Sequence, residues 1–399
     1  MPSSSHNDLA SRFELKKHTS FLLRCLRLLP QPYTSADDQR MTLGYFAISG
    51  LDLLGALDKI PPQEKTELIE WVYDQQSPAG GFRGSPSSTF SSSTQHAGAG
   101  VNIAMTYAAI LVLAALQDDY KRLDREALLR FIGALQDRGE GGFAAEEEAM
   151  GEVDRDPRFT YCAITICSML GEWGSVDKRK AREYLEGCQR YDGGFGASKL
   201  HEAHSGMTYC CIAGLRLLAA DNTASLWDRQ EEALTWLAHR QVAPSQPACT
   251  ASHAATTTQP THKMSDSEDD KDEIELTGGF QGRPEKLPPD VCYSFWNGAA
   301  LSLLDQHQLI DSHADASYVL SAQSKVGGIA KIPDDHPDLL HTHLGLASLS
   351  LHQSGSTVEV ESGDEAGGGI EFGLKRLDAA YNCSLTAKEW IRKHLTLSK

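Results

Sequence analysis

The sequence has little positive charge: 37 Lys and Arg residues are outnumbered by 54 Asp and Glu residues, for a net charge of −17. This acidic balance argues against nucleic acid as the main partner and fits cationic protein substrates. The chain also lacks an uninterrupted apolar stretch long enough to span a membrane, so we expect no transmembrane segment. No alternation of apolar and polar residues persists with period two, which argues against a fold built from sheets.

The nine cysteines lack the spacing of a disulfide framework. Four of them lie within apolar runs of helical length, namely Cys162, Cys167, Cys210 and Cys211. The chain carries no signal-peptide pattern. We therefore expect free thiols and a reducing, cytoplasmic location.

A Gly-Gly-aromatic block recurs along the chain at intervals of about 50 residues. The blocks occupy residues 80–82, 141–143, 193–195 and 278–280, with a Gly-Gly-Ile variant at 327–329. Each block is followed by a polar stretch and then by an apolar run of helical length. Such a period is typical of a repeat architecture, in which one unit cannot bury its apolar face alone.

Each repeat has the pattern of two helices. Amphipathic segments such as 125–136 and 178–189 carry charge on one face, whereas the apolar runs are hydrophobic nearly all round. The sequence thus predicts an all-α fold of about six helical hairpins, with an N-terminal pair at 13–29 and 42–57, that closes as an α/α barrel, or toroid. An open solenoid is the alternative.

We expect residues 1–399 to form a single domain. A Pro/Ser/Thr-rich and acidic insertion at 242–276 is expected to interrupt it as a disordered loop between two repeats. A final helix is expected around residues 387–394.

Five polar residues share one position in the repeat, at or just before the start of an inner helix: Arg158, His204, Asp290, Cys292 and His341. In a barrel of stacked repeats, the same phase means the same end, so these side chains should converge on one mouth. Aspartate, cysteine and histidine are all residues that zinc accepts, and three protein ligands leave a fourth position open. The sequence therefore predicts a catalytic zinc site.

A second group at the mouth would bind a multiply charged anion. It comprises a cationic set and one hydrogen-bond donor, namely Arg158, His204, Arg283, Lys286 and Tyr293. Such a set stabilises negative charge on a departing anion, and zinc deprotonates a coordinated thiol. With an apolar barrel between them, these groups indicate alkylation of a thiol by a lipid diphosphate.

The stretch 334–338 spells D-D-x-x-D, a pattern that elsewhere holds magnesium on a diphosphate from a helix. Pro337 would interrupt such a helix. We interpret this stretch as a loop that leads to His341.

Several longer motifs bear a resemblance to a known family. They are G-G-F-Q-G-R-P at 278–284, D-V-C-Y-S-F-W at 290–296, E-A-H-S-G at 202–206 and R-F-T-Y-C at 158–162. With them, the chain resembles the β subunits of protein prenyltransferases from about residue 13 to 352, most of all those of the type I geranylgeranyltransferases.

The resemblance implies that Asp290, Cys292 and His341 bind one Zn²⁺ per β subunit. It implies that His204, Arg283, Lys286 and Tyr293 hold the isoprenoid diphosphate, with Arg158 nearby. It also implies an α subunit shared with farnesyltransferase and geranylgeranyl diphosphate as the lipid donor. The expected acceptors are C-a-a-X proteins with Leu or Phe at X, such as small GTPases of the Rho type.

Two residues bear on the length of the isoprenoid and on its leaving group. Thr42, which with Phe46 is assigned to the isoprenoid pocket, falls where farnesyltransferases carry a tryptophan; a smaller residue leaves room for a longer chain. Lys331, which we count among the catalytic residues, falls where they carry a magnesium-binding aspartate, so Mg²⁺ is not expected to be required. One departure from the family pattern affects Lys286, because three residues rather than two separate it from Asp290.

Features of the sequence argue against four other classes of protein. Thr42 and Lys331 argue against the β subunit of farnesyltransferase. The amino-acid sequences of the R-F-T-Y and C-Y-S-F-W motifs argue against the β subunit of Rab geranylgeranyltransferase. A triterpene cyclase would need an acidic D-x-D-D motif at a helix start, which we do not find. A toroid that only binds protein would have no need of the complete zinc triad.

Overall fold

The fold was obtained as a computed structural model, which describes residues 4–90, 100–147, 155–219, 225–243, 278–284, 288–353 and 370–397. Six helices of the described part form an inner layer: α3 (Arg40–Leu53), α5 (Ile103–Ala115), α7 (Pro157–Leu170), α9 (Ser205–Leu218), α11 (Val291–Leu303) and α13 (Leu339–Leu351). Each follows an outer helix: α2 (Leu15–Arg27), α4 (Pro62–Asp74), α6 (Arg125–Leu135), α8 (Lys178–Gly187), α10 (Gln230–Ala238) and α12 (Ser312–Ser321).

The remaining regular structure lies near the ends of the chain and between hairpins. It comprises α1 (Ser4–Arg12), α14 (Leu385–Ile391) with a π-helical turn at Arg392–Thr396, and short 3₁₀ segments such as Gln31–Gln39. Three two-residue antiparallel ladders join β1 (Phe82–Arg83) to β2 (Val101–Asn102), β3 (Ile329–Ala330) to β4 (Pro337–Asp338), and β5 (Leu377–Asp378) to β6 (Cys383–Ser384). The all-α class is confirmed.

The inner helices form a closed ring. Each packs against the next in chain order, and α13 packs against α3. Closure of this ring confirms the α/α barrel of six helical hairpins over the open solenoid. The inner helices form in the interior because they are apolar on all sides: in α5, eleven side chains from Ile103 to Ala115 are buried.

The first glycine of each Gly-Gly block explains why the block recurs. Gly80 has φ +104°, and a Cβ there would lie 2.1 Å from the carbonyl oxygen of Ala127 in the next outer helix. Gly327, with φ +91°, stands in the same relation to Lys17 of α2, again at 2.1 Å. Only glycine permits this approach, so the block is the point where successive hairpins meet, including the last and the first.

A glutamine ahead of each block adds polar bonds between neighbouring hairpins. The side chain of Gln136 donates to the carbonyl of Asp177 at 2.9 Å and accepts from its N–H at 2.7 Å. Gln323 does the same across the ring seam, accepting from Glu14 N–H at 3.1 Å and donating to the carbonyl of Arg12 at 3.2 Å. The repeat therefore supplies partners for backbone groups between hairpins in addition to apolar packing.

The expected insertion at 242–276 lies outside the described residues except for 242–243, and its disorder stays a prediction. Its two flanks are described. Val242 N–H donates to Gly279 and Gly278 N–H donates to Val242, each at 2.9 Å. The segment therefore leaves and re-enters the barrel at one point, between α10 and α11.

The two ends of the barrel differ. Because each inner helix follows the outer helix of its own hairpin, all six inner helices begin at the same end, where their N–H groups and positive dipole ends converge. The C-terminal part of the chain covers the opposite end: the buried Asp52, near the end of α3, accepts from Lys375 and Ser384. The mouth where the inner helices begin carries the candidate site.

Candidate active site

Three residues predicted to bind metal meet at the mouth. Asp290 is the N-cap of α11, and its Oδ1 accepts a hydrogen bond from Cys292 N–H at 2.8 Å. His341 lies in the first turn of α13 and places Nε2 3.2 Å from the same Asp290 oxygen. The candidate ligand atoms of Asp290, Cys292 and His341 lie within 4.8 Å of one another, and all three residues are buried. The structure thus brings the predicted triad together.

Asp338 completes this cluster and was not singled out from the sequence. It is the N-cap of α13 through His341 N–H at 2.9 Å, and its Oδ2 lies 2.6 Å from His341 Nδ1. This contact places the imidazole proton on Nδ1 and leaves Nε2 as the ligand atom, as carboxylate partners do in zinc sites. Residues 334–336 form the expected loop, whereas Pro337 and Asp338 form β4, which leads into α13. The spacing D-x-x-H was the signal that could have revealed the role of Asp338.

The donor set fits zinc. Burial, followed by the Asp290 carboxylate, raises the pKa of the Cys292 thiol well above its usual range. Burial disfavours the charged form of His341, but hydrogen bonds to Asp290 and Asp338 outweigh it and raise the pKa to about 9. A carboxylate, a thiolate and an imidazole within one shell are ligands that Zn²⁺ accepts.

We expect Asp338→Asn to weaken zinc binding by about 10- to 100-fold, the usual cost of losing a carboxylate behind a histidine ligand. The measurement is competition for zinc against a chelator, followed by metal analysis. Asp335→Asn is the matched control, because Asp335 is exposed in the loop just before Asp338 and its carboxylate accepts from the neighbouring His336 N–H. Equal zinc affinity for both variants would contradict a role for Asp338 in orienting His341.

His204 was expected to be one of the cations of the mouth, but its hydrogen bonds favour a neutral ring. It is the N-cap of α9, where Nδ1 accepts from Gly206 N–H at 3.0 Å, and its Nε2 lies 3.3 Å from the Tyr293 hydroxyl. Burial, then repulsion by Arg283 and Arg158, lowers the pKa of His204. A ring that accepts at one nitrogen cannot be doubly protonated. This geometry favours a neutral ring that can donate through Nε2, and the assignment of His204 to the diphosphate stays a prediction.

The permanent cations of the mouth each lie beside a carboxylate. Arg158 makes two hydrogen bonds to Asp156, the N-cap of α7, at 3.0 and 2.8 Å. Arg283 lies 3.3 Å from Glu202, and Lys331 Nζ lies 3.8 Å from Asp290 Oδ2. Both arginines disfavour a proton on His204, so their charges act at the same place. Binding of an anion by this set stays a prediction. Lys286 lies outside the described residues, and its placement stays a prediction.

The two residues assigned to the isoprenoid pocket lie one turn apart on α3. The hydroxyl of Thr42 lies 3.1 Å from the sulfur of Met105, on the neighbouring inner helix. The ring of Phe46 stacks on His343 of α13, with centroids 5.5 Å apart. Thr42 is therefore nearer the mouth and Phe46 deeper, on the side of α3 that contacts the other inner helices.

The chain is similar in sequence to proteins of a known family. The model of the prenyltransferase alpha-alpha toroid domain matches residues 13–383. Geranylgeranyl transferase type-1 subunit beta of Arabidopsis thaliana is 35% identical, with 86% of each chain covered. The chain belongs to the prenyltransferase toroid family, among the type-1 geranylgeranyl transferase β subunits.

A second relative agrees with this membership, and a solved structure shows the same fold. The type-1 β subunit of Dictyostelium discoideum is 30% identical over 84% of this chain and 90% of its own. The structure of Candida albicans protein geranylgeranyltransferase-I complexed with GGPP matches with a TM-score of 0.76 at 23% identity, covering 96% of this chain and 99% of the other. At that identity, the structural match supports the prenyltransferase fold alone. Among the described helices of this prenyltransferase toroid, none has the length and apolar character needed to cross a bilayer.

Proposed function

We propose that this chain is the catalytic β subunit of a heterodimeric protein geranylgeranyltransferase type I. It transfers the geranylgeranyl group of geranylgeranyl diphosphate to the cysteine thiol of C-terminal C-a-a-X sequences. The observation that carries the proposal is the metal-ligand triad of Asp290, Cys292 and His341 at the same mouth as Arg158, Arg283 and His204. One group activates the nucleophile and the other receives the leaving group.

Asp290, Cys292 and His341 would hold Zn²⁺, with Asp338 orienting His341. Bound there, zinc would lower the pKa of a coordinated substrate thiol and so supply a thiolate at neutral pH. The thiolate sulfur forms a bond to C1 of the isoprenoid while the bond from C1 to the diphosphate oxygen breaks. The thiol proton leaves to solvent, and inorganic diphosphate departs.

The chain's own side chains stabilise that departing charge. Tyr293 is a donor, because burial, then the neighbouring Cys292 and Asp290, raises its pKa to about 12 and keeps the hydroxyl protonated. His204 supports it through Nε2–H, and Arg283 and Arg158 supply fixed positive charge, with Lys286 assigned to the same role. The N-termini of the inner helices add positive potential at the mouth. Donors aimed at developing charge are among the largest sources of catalysis.

The partners follow from the same proposal. The second subunit is the α subunit shared with farnesyltransferase, and the acceptors are small GTPases whose C-a-a-X sequence ends in Leu or Phe. All eight cysteines in the described residues are free thiols, which supports a cytoplasmic location. We also keep the proposal that residues 1–399 form one domain.

The deciding experiment uses the chain co-expressed with an α subunit. The purified heterodimer is tested with a C-a-a-Leu peptide and a mixture of fifteen- and twenty-carbon diphosphates, and its zinc content is measured. We expect about one zinc and thioether formation mainly with the twenty-carbon chain. A heterodimer that prefers the fifteen-carbon chain would instead support a farnesyltransferase, and one without zinc or turnover would support a non-catalytic toroid.

Lys331 gives a separate prediction about magnesium. Its ammonium group lies at the mouth, more than half exposed, and can neutralise the diphosphate directly. We expect turnover to continue when Mg²⁺ is removed with zinc retained, and Lys331→Asp to show a rate that rises with added Mg²⁺. The readout is initial rate against free Mg²⁺. Lys325→Asp, in the loop that follows α12, is the control and should show no such dependence; a wild-type rate that stops without Mg²⁺ would refute the charge replacement.

A further inference from the structure

The C-terminal hairpin inserts its loop among the inner helices. Strands β5 and β6 are joined by the four residues 379–382, and the backbone carbonyl of each accepts a hydrogen bond from a buried tyrosine hydroxyl. The bonds run from Tyr209 to Ala379 (2.9 Å), Tyr161 to Ala380 (2.8 Å), Tyr107 to Tyr381 (2.8 Å) and Tyr45 to Asn382 (2.6 Å). Four consecutive inner helices thus hold four consecutive carbonyls.

These tyrosines belong to one aromatic layer across the barrel. Neighbouring rings lie 5.9 Å (Tyr45 to Tyr107), 5.7 Å (Tyr107 to Tyr161) and 5.5 Å (Tyr161 to Tyr209) apart. The two other inner helices contribute Trp296, 5.1 Å from Tyr209, and His343, 5.1 Å from Tyr45. Every inner helix therefore supplies a ring at this level, which we call the aromatic layer.

The aromatic layer lies directly behind the residues assigned to the isoprenoid pocket. Thr42 is three residues ahead of Tyr45 on α3, and its neighbour Met105 is two residues ahead of Tyr107 on α5. Phe46 packs on both Tyr45 and His343. A chain that enters from the mouth past Thr42 thus meets the aromatic layer next.

We propose that loop 379–382 sets the depth of the isoprenoid pocket by holding the tyrosines of the aromatic layer in place. The C-terminal hairpin is then a determinant of chain length besides Thr42. The physical reason is that the loop carbonyls lie in a largely buried place and need partners. A longer chain that displaces the tyrosines must therefore displace the loop as well, or break bonds that water does not readily replace. This inference rests on the proposed function, because it takes the barrel lumen as the isoprenoid pocket.

The test frees the two ends of the loop while keeping every ring. The double variant Tyr45→Phe/Tyr209→Phe, in the heterodimer, removes the bonds to Asn382 and Ala379, together with the 3.1 Å contact between the hydroxyls of Tyr209 and Tyr161. We measure kcat/KM with fifteen-, twenty- and twenty-five-carbon diphosphates. The tyrosine rings can move more easily in the variant. The ratio of kcat/KM for the twenty-five-carbon diphosphate to that for the twenty-carbon diphosphate should therefore rise about fivefold, equivalent to about 1 kcal/mol.

Tyr120→Phe is the matched control. Tyr120 is also buried and donates to a backbone carbonyl, that of Ile110 at 2.9 Å, outside the aromatic layer. It should lower thermal stability similarly and leave the chain-length ratio unchanged. A double variant that loses stability but keeps the wild-type ratio would show that the loop only supports the fold, and the inference would be wrong; if the double variant does not assemble, the two single variants are judged by the same ratio. A wild-type heterodimer that cannot use the twenty-carbon chain would instead refute the proposed function.

Discussion

Replacement of Cys292 by alanine is expected to reduce the rate of thiol alkylation by about a hundredfold or more. This loss exceeds the one expected when a residue that only orients a zinc ligand, such as Asp338, is replaced. Cys292 supplies the only sulfur among the three candidate ligands, and zinc held by Asp290 and His341 alone is bound weakly. Binding of the isoprenoid diphosphate should stay nearly intact, because Arg158, Arg283 and His204 are unchanged. The measurements are zinc content, single-turnover alkylation of a C-a-a-Leu peptide, and diphosphate affinity.

Cys167→Ala is the matched control for this experiment. Cys167 is a fully buried cysteine on inner helix α7, eleven residues into the helix and away from the mouth. It should keep zinc and turnover even if it lowers stability. A Cys292→Ala heterodimer with full zinc content and turnover would contradict the ligand assignment.

Thr42→Trp should move substrate preference from the twenty-carbon towards the fifteen-carbon diphosphate. The hydroxyl of Thr42 contacts Met105 on the next inner helix, so a tryptophan there must displace packed side chains or fill the pocket. Overpacking of this kind costs about 1–3 kcal/mol. That range corresponds to a change in preference of roughly one to two orders of magnitude. The readout is direct competition between the two diphosphates.

Leu43→Trp provides the control on the same helix. Leu43 lines a cavity of about 520 Å³ between α3 and the outer helices α2 and α4, beside Leu68 and Trp71, and Thr42 does not line this cavity. A tryptophan can occupy that space, so the chain-length preference should not change. If Thr42→Trp kept the wild-type ratio, Thr42 would not limit the pocket.

The period of the Gly-Gly block was enough to predict stacked helical hairpins. The block fixes where hairpins meet, and the residues that follow it start an inner helix, so equal phase predicts that Asp290, Cys292 and His341 lie at one mouth. The sequence could not exclude an open solenoid, since the seam depends on Gly327 meeting Lys17 of the first hairpin. No sequence pattern near either residue predicts that contact.

Features that depend on one particular contact were not predictable. Asp338 was set aside within an acidic pattern, and only the 2.6 Å contact with His341 reveals its role. The neutral state of His204 follows from a hydrogen bond accepted by Nδ1, which residue type alone does not specify. The C-terminal hairpin has strands of two residues, too short for any alternation to register. The final helix expected around 387–394 was found as α14 and the π-helical turn.

The ring seam has a consequence for synthesis of the chain on the ribosome. Gln323 and Glu14, which join the last hairpin to the first, are 309 positions apart. The first hairpin is therefore made long before the sixth hairpin, which packs beside it. One apolar side of α3 stays uncovered until α13 has been made. Folding that depends on such long-range contacts is slow, and it leaves aggregation-prone apolar surface exposed until the ring closes. The growing polypeptide thus has its greatest need of chaperone protection until the sixth hairpin emerges, and a truncation before Leu339 leaves that flank uncovered permanently.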